Sequence, residues 1–344
     1  MNNFSDGEAF GRVNLIGEHL DYNQGCVMPL QINKSVKVFL KKDTAIEGIK
    51  IKSENFDYEI VTTAINKKLD DWADFIIGSL YFFSKKYNLK IEQLNIEVQS
   101  NLPIGIGVSS SAAVTVSTLR ALYGLFNRKI ENSELVELAH SVERDFVGVA
   151  GGVMDQFASI YGSQDQALFL DTKTNNYKLI KLADEYIFFI IDSGTQRILT
   201  DGSLNKKKEV CKKISSKLNV EYLCQLDELD EDHKKILTDE ELDIAKHVIY
   251  ENQRSILGKK ALIENNIEEF GSLMTQSHFS LRDLYRVSTS ELDLLVDLCN
   301  KFGSMGSKLT GAGFGGAIVT LIKKELVEDL KMFIVENYPN AKFL

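Results

Sequence analysis

The 344-residue chain contains three prolines, one tryptophan and four cysteines, and each scarcity removes a class of protein. No proline-rich linker, internal repeat or low-complexity tract divides it, so any domain boundary has to be read from the order of elements. Cys26, Cys211, Cys224 and Cys299 lie far apart without a CxxC pair. That spacing argues against a zinc knuckle or a dense disulfide framework and for a reducing compartment, the cytoplasm being the simplest. The longest purely apolar run, Tyr186 to Ile191, falls far short of the roughly 18 residues that a membrane span requires. The opening MNNFSDGEAF has neither a basic n-region nor an apolar h-region, so no secretory signal is expected there. Positive charge is also in deficit: 40 Lys+Arg against 49 Asp+Glu give a net charge of −9. This balance argues against nucleic acid or an anionic membrane as partner while leaving room for local basic pockets.

What remains is an ordinary globular composition, 44% hydrophobic and 26% charged, in a chain long enough for about two domains of ~100–200 residues and a cleft. Val36–Leu40, Ile49–Lys52, Asp57–Val61 and Asn95–Gln99 are short and β-branched or alternating, as strands are. From Ser110 to Phe126, residues Ala112, Val116, Leu119 and Tyr123 fall on one helical face. Asn132 or Ser133 can cap a following helix that carries Leu135, Leu138 and Val142. Tyr186–Asp192 reads as a buried strand. Ser290–Asn300 reads as a helix, Gly315–Ile322 as a glycine turn entering a strand, and Leu326, Leu330 and Phe333 as one face of a last helix. Without regular βαβ alternation the class is α+β, with a boundary placed near residue 180, giving 1–180 and 181–344. The charged segment from Gln225 to Lys235 reads as solvated surface.

Three islands carry chemistry. In NLPIGIGVSSSAA (Asn101 to Ala113), Gly105 and Gly107 precede Ser109, Ser110 and Ser111 and a helical pattern. Glycines allow close backbone approach, and a helix start offers N–H groups and positive dipole to a phosphate. The chain has neither a dinucleotide GxGxxG here nor a GxxxxGK[ST] loop anywhere, so this would be a different phosphate cradle; the plainer reading is a turn with serine caps. In LTGAGFGGAIVTL (Leu309 to Leu321), Gly311, Gly313, Gly315 and Gly316 imply unusual backbone angles or close approach, and a glycine-rich strand entry explains them as well. The two segments reinforce each other only if the fold brings them together. GRVNLIGEHLDYNQG (Gly11 to Gly25) packs Arg12, Asn14, Glu18, His19, Asp21 and Asn23 around a short apolar stretch, a surface suited to a polyol, or else a polar turn held by its own Asx bonds.

These islands resemble the three motifs of the GHMP kinases, and GRVNLIGEHLDYNQG resembles the galactokinase signature. GGVMDQFASIYG (Gly151 to Gly162) and SHFSLRDLYRVSTSELD (Ser277 to Asp293) are similar to galactokinase segments too. The resemblance implies a two-lobed fold, a ribosomal-S5-like N-terminal domain and an α+β C-terminal domain with the active site in the cleft. It implies ATP and Mg²⁺, small-molecule substrates and no nucleic-acid or membrane partner; a monomer is expected.

Residue by residue, Asp155 matches the catalytic aspartate that orients or deprotonates the anomeric hydroxyl, and Arg12 matches its basic partner. Taken alone, Asp155 reads equally as a helix cap and Glu143, beside Arg144, as an ordinary charged helix face. Glu143 matches the magnesium-binding glutamate, with a serine of Ser109–Ser111, Ser110 by preference, as the other protein ligand. Gly105, Gly107 and the three serines match the ATP-binding loop, and Glu18, His19, Asp21 and Gly152 match sugar-binding positions. The sequence departs from the pattern at Phe10, where the family has proline, and at Leu20, where it has threonine. It also has Leu204 in place of a tyrosine that donates to the sugar, and Tyr285 and Arg197 are candidates to supply the lost contact. The expected activity is a sugar 1-kinase of galactokinase type. The rivals are a kinase for a modified galactose or another small alcohol, and a catalytically silent galactose and ATP sensor.

Overall fold

The computed structural model describes residues 2–149, 151–195 and 202–344. In chain order the strands and helices are β1 (Phe4–Asn14), β2 (Cys26–Val27), β3 (Pro29–Lys42), β4 (Ile49–Ser53), β5 (Glu59–Thr62), α1 (Asp74–Tyr87), β6 (Leu94–Ser100), α2 (Ser110–Leu125), α3 (Asn132–Ser141) and α4 (Met154–Tyr161). Then come β7 (Gln166–Asp171), β8 (Asn176–Lys181), β9 (Tyr186–Asp192), α5 (Ser203–Lys217), α6 (Glu231–Ile236), α7 (Asp239–Ile263), α8 (Ile267–Asp283), α9 (Ser290–Phe302), β10 (Gly306–Leu309), β11 (Ala317–Lys323), α10 (Val327–Asn337) and β12 (Lys342–Phe343). The mixture of segregated helices and sheets is α+β. The chain folds as two compact units, the first taking in the chain up to Arg12, Gln31–Pro103 and Ser109–Gly162, the second Val13–Leu30, Ile104–Val108 and Ser163–Leu344.

In the first unit a five-stranded sheet has the order β1-β3-β6-β4-β5. β3 and β6 pair antiparallel from Val36↔Ser100 to Lys42↔Leu94, whereas β4 runs parallel to β6. Alternation sets the buried face: Val36, Val38 and Leu40 are buried while Lys37 and Lys41 are exposed, as a sheet with one wet face requires. Helices α1 and α2 close on each other through Phe83 and Tyr123, whose rings meet edge to face at 5.2 Å. Ala112, Val116, Leu119 and Tyr123 are all buried, as the helical spacing predicts. After α3 the chain widens into a single π-helical turn, Val142–Val147.

The second unit has a four-stranded sheet, β10-β11-β9-β12, and a three-stranded one, β2-β7-β8. β9 occupies the span expected of it and pairs with β11 from Ala317↔Asp192 to Lys323↔Tyr186. Other expected boundaries move. The residue flanking α3 is Glu131 rather than Asn132 or Ser133, and no side chain caps it. Asp57 precedes β5, and Leu326 precedes α10 as its N-cap. Gly315 and Gly316 lie before β11 with positive φ. In the charged segment, α6 is held by exposed Glu231–Lys234 and Asp232–Lys235 pairs, so this stretch is surface, with Leu229 buried beneath it.

β1 lies against α2 with no room for a side chain at Gly7, where a Cβ would collide with the Ser117 carbonyl oxygen and stand 2.7 Å from the Ala121 nitrogen. Gly7→Ala is therefore expected to lower unfolding free energy by about 1–3 kcal/mol, read as a drop in melting temperature. An unchanged melt would mean that the strand can move off the helix without cost.

Candidate active site

In the first unit, β1 delivers Arg12 into the interior, 4% exposed. Its Nε donates to Asp155 Oδ1 at 2.7 Å and its Nη2 lies 2.7 Å from the same oxygen. Asp155 sits in the first turn of α4, one residue past Met154, with Val153 as the cap, so the carboxylate is a partner of Arg12 rather than a helix cap. α4 is tied to the sheet at its other end: Ser159 Oγ donates to the Phe10 carbonyl at 2.8 Å, and Gln31 Nε2 to the Ala158 carbonyl at 3.1 Å. Gly152 precedes α4 and is half-buried.

Glu143 is buried in the π-helical turn, whereas Arg144 and Asp145 are exposed and paired with each other. Glu143 follows the buried Leu135 and Ala139 at spacings of four, so it continues the inner face of α3, while Arg144 and Asp145 fall outside it. Gln156 Nε2 donates to Glu143 Oε2 at 2.6 Å. Burial, with the nearby Asp155 charge, pushes the Glu143 carboxyl up to about 7 against the pull of Ser111, Gln156 and Arg12. Thus the serine set against Glu143 is Ser111; Ser110 opens α2, and Ser109 before it has a left-handed backbone, φ +58°. Among the described residues, Glu143 Oε1, Gln156 Oε1 and Ser109 Oγ are buried with no hydrogen-bond partner.

In the second unit, the turn from Gly17 to Gly25 presents Glu18, His19, Asp21 and Tyr22. Glu18 is 1% exposed; its Oε1 accepts from the Gly311 N–H at 3.1 Å and its Oε2 lies 2.5 Å from Lys308 Nζ. Burial pushes its carboxyl up to about 7, with Lys308 and the Gly311 N–H holding it back. His19 takes a left-handed backbone, φ +63°. Its ring nitrogens meet Tyr22 Oη at 2.7 Å and the Ala312 carbonyl at 3.2 Å, and its ring packs on Tyr285 at 4.6 Å. The half-buried Asp21 accepts from the Tyr22 N–H.

The two glycine-rich segments do meet, since a Cβ at Gly316 would collide with the Ile106 carbonyl between Gly105 and Gly107. Gly105, Gly107, Gly311, Gly313, Gly315 and Gly316 all have positive φ, so neither segment is an ordinary turn. Leu204 lies half-buried in the first turn of α5. The Tyr285 hydroxyl is bonded to Tyr22 Oη at 2.9 Å and lies 3.3 Å from Cys211 Sγ. Arg197 lies outside the described residues. Lys308, Glu251, His247, Tyr22 and Gln156 escaped the sequence reading. Tyr22 lies inside the island Gly11 to Gly25, Gln156 beside Asp155 in GGVMDQFASIYG, and Lys308 one residue before the second island, whereas Glu251 and His247 have no such signal around them.

With this geometry in view, the comparisons with known proteins are specific. Residues 7–42 match the galactokinase galactose-binding signature, residues 74–163 the GHMP kinases N terminal domain and residues 259–340 the GHMP kinases C terminal domain. A galactokinase of Thermotoga maritima is 38% identical over 336 residues, covering 96% of this chain and 93% of that protein. The chain belongs to the galactokinase family of the GHMP kinases. A galactokinase of Clostridium tetani is 35% identical over 347 residues, covering 95% of this chain and 86% of that one. The crystal structure of Lactococcus lactis galactokinase complexed with galactose matches with a TM-score of 0.92 at 29% identity, covering 100% of this chain and 93% of that one. Methanococcus jannaschii mevalonate kinase, at 21% identity and a TM-score of 0.69, shares the fold. Among the described residues no helix is long and apolar enough to cross a membrane.

The buried charges behind the Gly17–Gly25 turn give two expectations. Lys308→Met leaves the Glu18 carboxyl buried without its counter-charge and should lower unfolding free energy by about 3–5 kcal/mol, measured by urea denaturation; a loss under about 1 kcal/mol would mean that the pair is not coupled. At Glu251, burial raises the carboxyl, but Arg254, Lys308 and the Ser277 hydroxyl outweigh it and bring it down from 4.5 to about 2. The folded chain then binds fewer protons there than the unfolded one, so this stabilisation is complete above pH 4.5 and lost as pH falls towards 2. The stability deficit of Glu251→Gln relative to wild type should accordingly shrink below pH 4.5. A deficit independent of pH would refute that assignment.

Proposed function

We propose that the protein transfers the γ-phosphoryl group of ATP to the anomeric hydroxyl of galactose, giving galactose 1-phosphate and ADP. The observation that carries this reading is the convergence of two Arg12 nitrogens on one oxygen of Asp155, in a chain aligned over nearly its whole length with galactokinases. The silent-sensor reading is disfavoured because the chain keeps Arg12, Asp155, Glu143 and the serine run, and an acceptor alcohol of another kind is disfavoured by the match of residues 7–42 to the galactokinase galactose-binding signature.

Asp155, 25% exposed at its side chain, accepts the proton of the anomeric hydroxyl as the sugar oxygen attacks phosphorus. The new bond joins that oxygen to the γ-phosphorus, and the bond from phosphorus to the β,γ-bridging oxygen breaks, leaving with ADP. No covalent phosphoenzyme intervenes. The transition state is loose and charge-rich, so the protein contributes chiefly position and electrostatics. Arg12 fixes the carboxylate and supplies positive charge where the transferring group becomes negative. His19 and Asp21, with Gly152, hold the sugar hydroxyls; Glu18, expected among them, is 1% exposed and bonded to the Gly311 N–H and Lys308, so it lies behind the turn rather than against the sugar. Gly105, Gly107 and Ser109 to Ser111 receive the phosphates.

The residues around Glu143 suit Mg²⁺, a hard cation that takes one or two protein oxygens and keeps the rest as water and phosphate. The buried and unpartnered Glu143 Oε1 and Ser109 Oγ are oxygens of that kind, and the hydroxyls of Ser110 and Ser111 stand beside them in sequence. When bound, the ion would neutralise phosphate charge. The galactose assignment meets its sharpest challenge at Leu204, which offers no hydroxyl, and a lost polar contact changes discrimination between sugars.

An ADP-release assay with ATP and Mg²⁺ against galactose, 2-deoxygalactose, galactosamine, N-acetylgalactosamine, glucose, arabinose and galacturonate tests both points. Galactose is expected to be turned over best, with Asp155→Ala slower by about 10²–10⁴-fold at unchanged near-ultraviolet circular dichroism. Preference for another sugar would move the substrate and keep the reaction. Binding of galactose and ATP without turnover would overturn the enzyme.

A further inference from the structure

Helix α7 holds the sugar-binding turn through one buried polar face. His247, Glu251 and Ser255 recur every four residues on one face of the helix, and Asn252 borders that face three residues before Ser255. The first two and Ser255 have no exposed surface. Glu251 Oε1 accepts from the Gly17 N–H at 2.8 Å and from Ser277 Oγ at 2.6 Å, and Oε2 accepts from Arg254 Nε at 2.7 Å. Asn252 Oδ1 accepts from the Cys26 N–H at 2.8 Å. His247 Nε2 lies 3.4 Å from the Glu18 carbonyl, its Nδ1 is bonded to Ser280 Oγ at 2.8 Å, and its ring packs on Tyr285 at 4.5 Å. A Cβ at Gly17, where φ is +95°, would stand 2.8 Å from Ser255 Oγ. Both ends of the turn and the residue before His19 are thus fastened to one helix.

This arrangement is expensive in stability unless it secures something else. A buried carboxylate must be desolvated, and replacing buried ionic groups by apolar ones is often neutral or favourable. What it secures is a backbone that would not hold itself: Gly17 and His19 both have positive φ, a conformation uncommon for histidine and kept only where the surroundings impose it. Resting on the sugar-kinase reading above, we infer that Glu251 and Asn252 are positioning residues for sugar recognition, fixing the ends of the Gly17–Cys26 segment so that His19 and Asp21 meet the sugar preorganised. The phosphate-binding glycines are not among their partners, so their loss falls on the sugar and not on ATP.

The test is steady-state kinetics of purified Glu251→Met, Glu251→Gln and Asn252→Ala, using the sugar that wild type turns over best, with sugar-induced shifts in melting temperature measured alongside. Displacing a binding group by about 1 Å is worth about 10²-fold. Glu251→Met and Asn252→Ala are expected to raise KM for the sugar tenfold or more (~10–100-fold), to leave KM for ATP within about twofold, and to lose most of the sugar-induced melting shift. Glu251→Gln, which keeps an acceptor for the Gly17 N–H, should recover most of the loss. Should Glu251→Met fail to fold, Asn252→Ala decides, because its bond reaches only the end of the turn. Variants that melt lower but keep the wild-type sugar KM and melting shift would reduce this face to a structural role and overturn the inference, as would equal losses for sugar and ATP. Wild type that phosphorylates no sugar on the panel would instead sink the functional reading on which the inference rests.

Discussion

Lys308 has no exposed surface, and the second unit is organised around where its ammonium goes. It lies 2.5 Å from Glu18 Oε2, donates to the Leu309 carbonyl at 2.8 Å and reaches the Asn14 carbonyl at 3.4 Å. One cation therefore gathers the end of β1, the turn that follows it and the strand leading into the second glycine segment. Thr310 adds a parallel link, accepting from the Asn14 N–H at 2.7 Å. An ammonium without water needs such a complement of oxygens, and no single element could supply it. Chain segments some 290 residues apart are thereby fixed at the point where both become irregular.

The first unit meets the same need differently. Arg12 and Asp155 form a charge pair in which the guanidinium is buried and the carboxylate remains partly exposed. Glu143 is fully withdrawn and bonded to Gln156, the residue next to Asp155 in α4. The first turn of α4 thus serves both carboxylates, with Asp155 facing Arg12 and Gln156 facing Glu143. A shift of α4 would disturb both together, and its far end is held by the Phe10 carbonyl and the Gln31 side chain.

What could be read from the sequence follows from this division. The groups proposed to meet a ligand sit where regular structure stops: the Gly105–Ser111 stretch, the Gly311–Gly316 stretch and the turn after β1 interrupt hydrophobic periodicity, and each stood out as an island. Short strands such as β9 and the buried face of α2 were legible because their patterns are local. The long β1 was not, because FSDGEAFGRVN carries glycines and charges at positions that only the neighbouring α2 and Asp155 make suitable. Nor was the burial of Glu143, which lies four residues after the buried Ala139 and eight after the buried Leu135 but reads, beside Arg144, as part of a charged face.

The supports of the turn that bears His19 and Asp21 were hidden because they lie on a regular helix. In α7 the residues Ile244, Val248, Glu251, Ser255, Gly258 and Leu262 recur at spacings of four, three, four, three and four, and all are buried. A reader of the pattern sees an apolar stripe with an interruption and assigns the interruption to the surface. Physics argues the reverse. A charge in the phase of a buried stripe costs several kcal/mol of desolvation, so it survives only where other buried polar groups complete it, as Arg254, Ser277 and the Gly17 N–H do for Glu251. Such a residue marks a place where the interior holds a backbone in a conformation it would not otherwise keep. In this chain that backbone is the turn that bears His19 and Asp21.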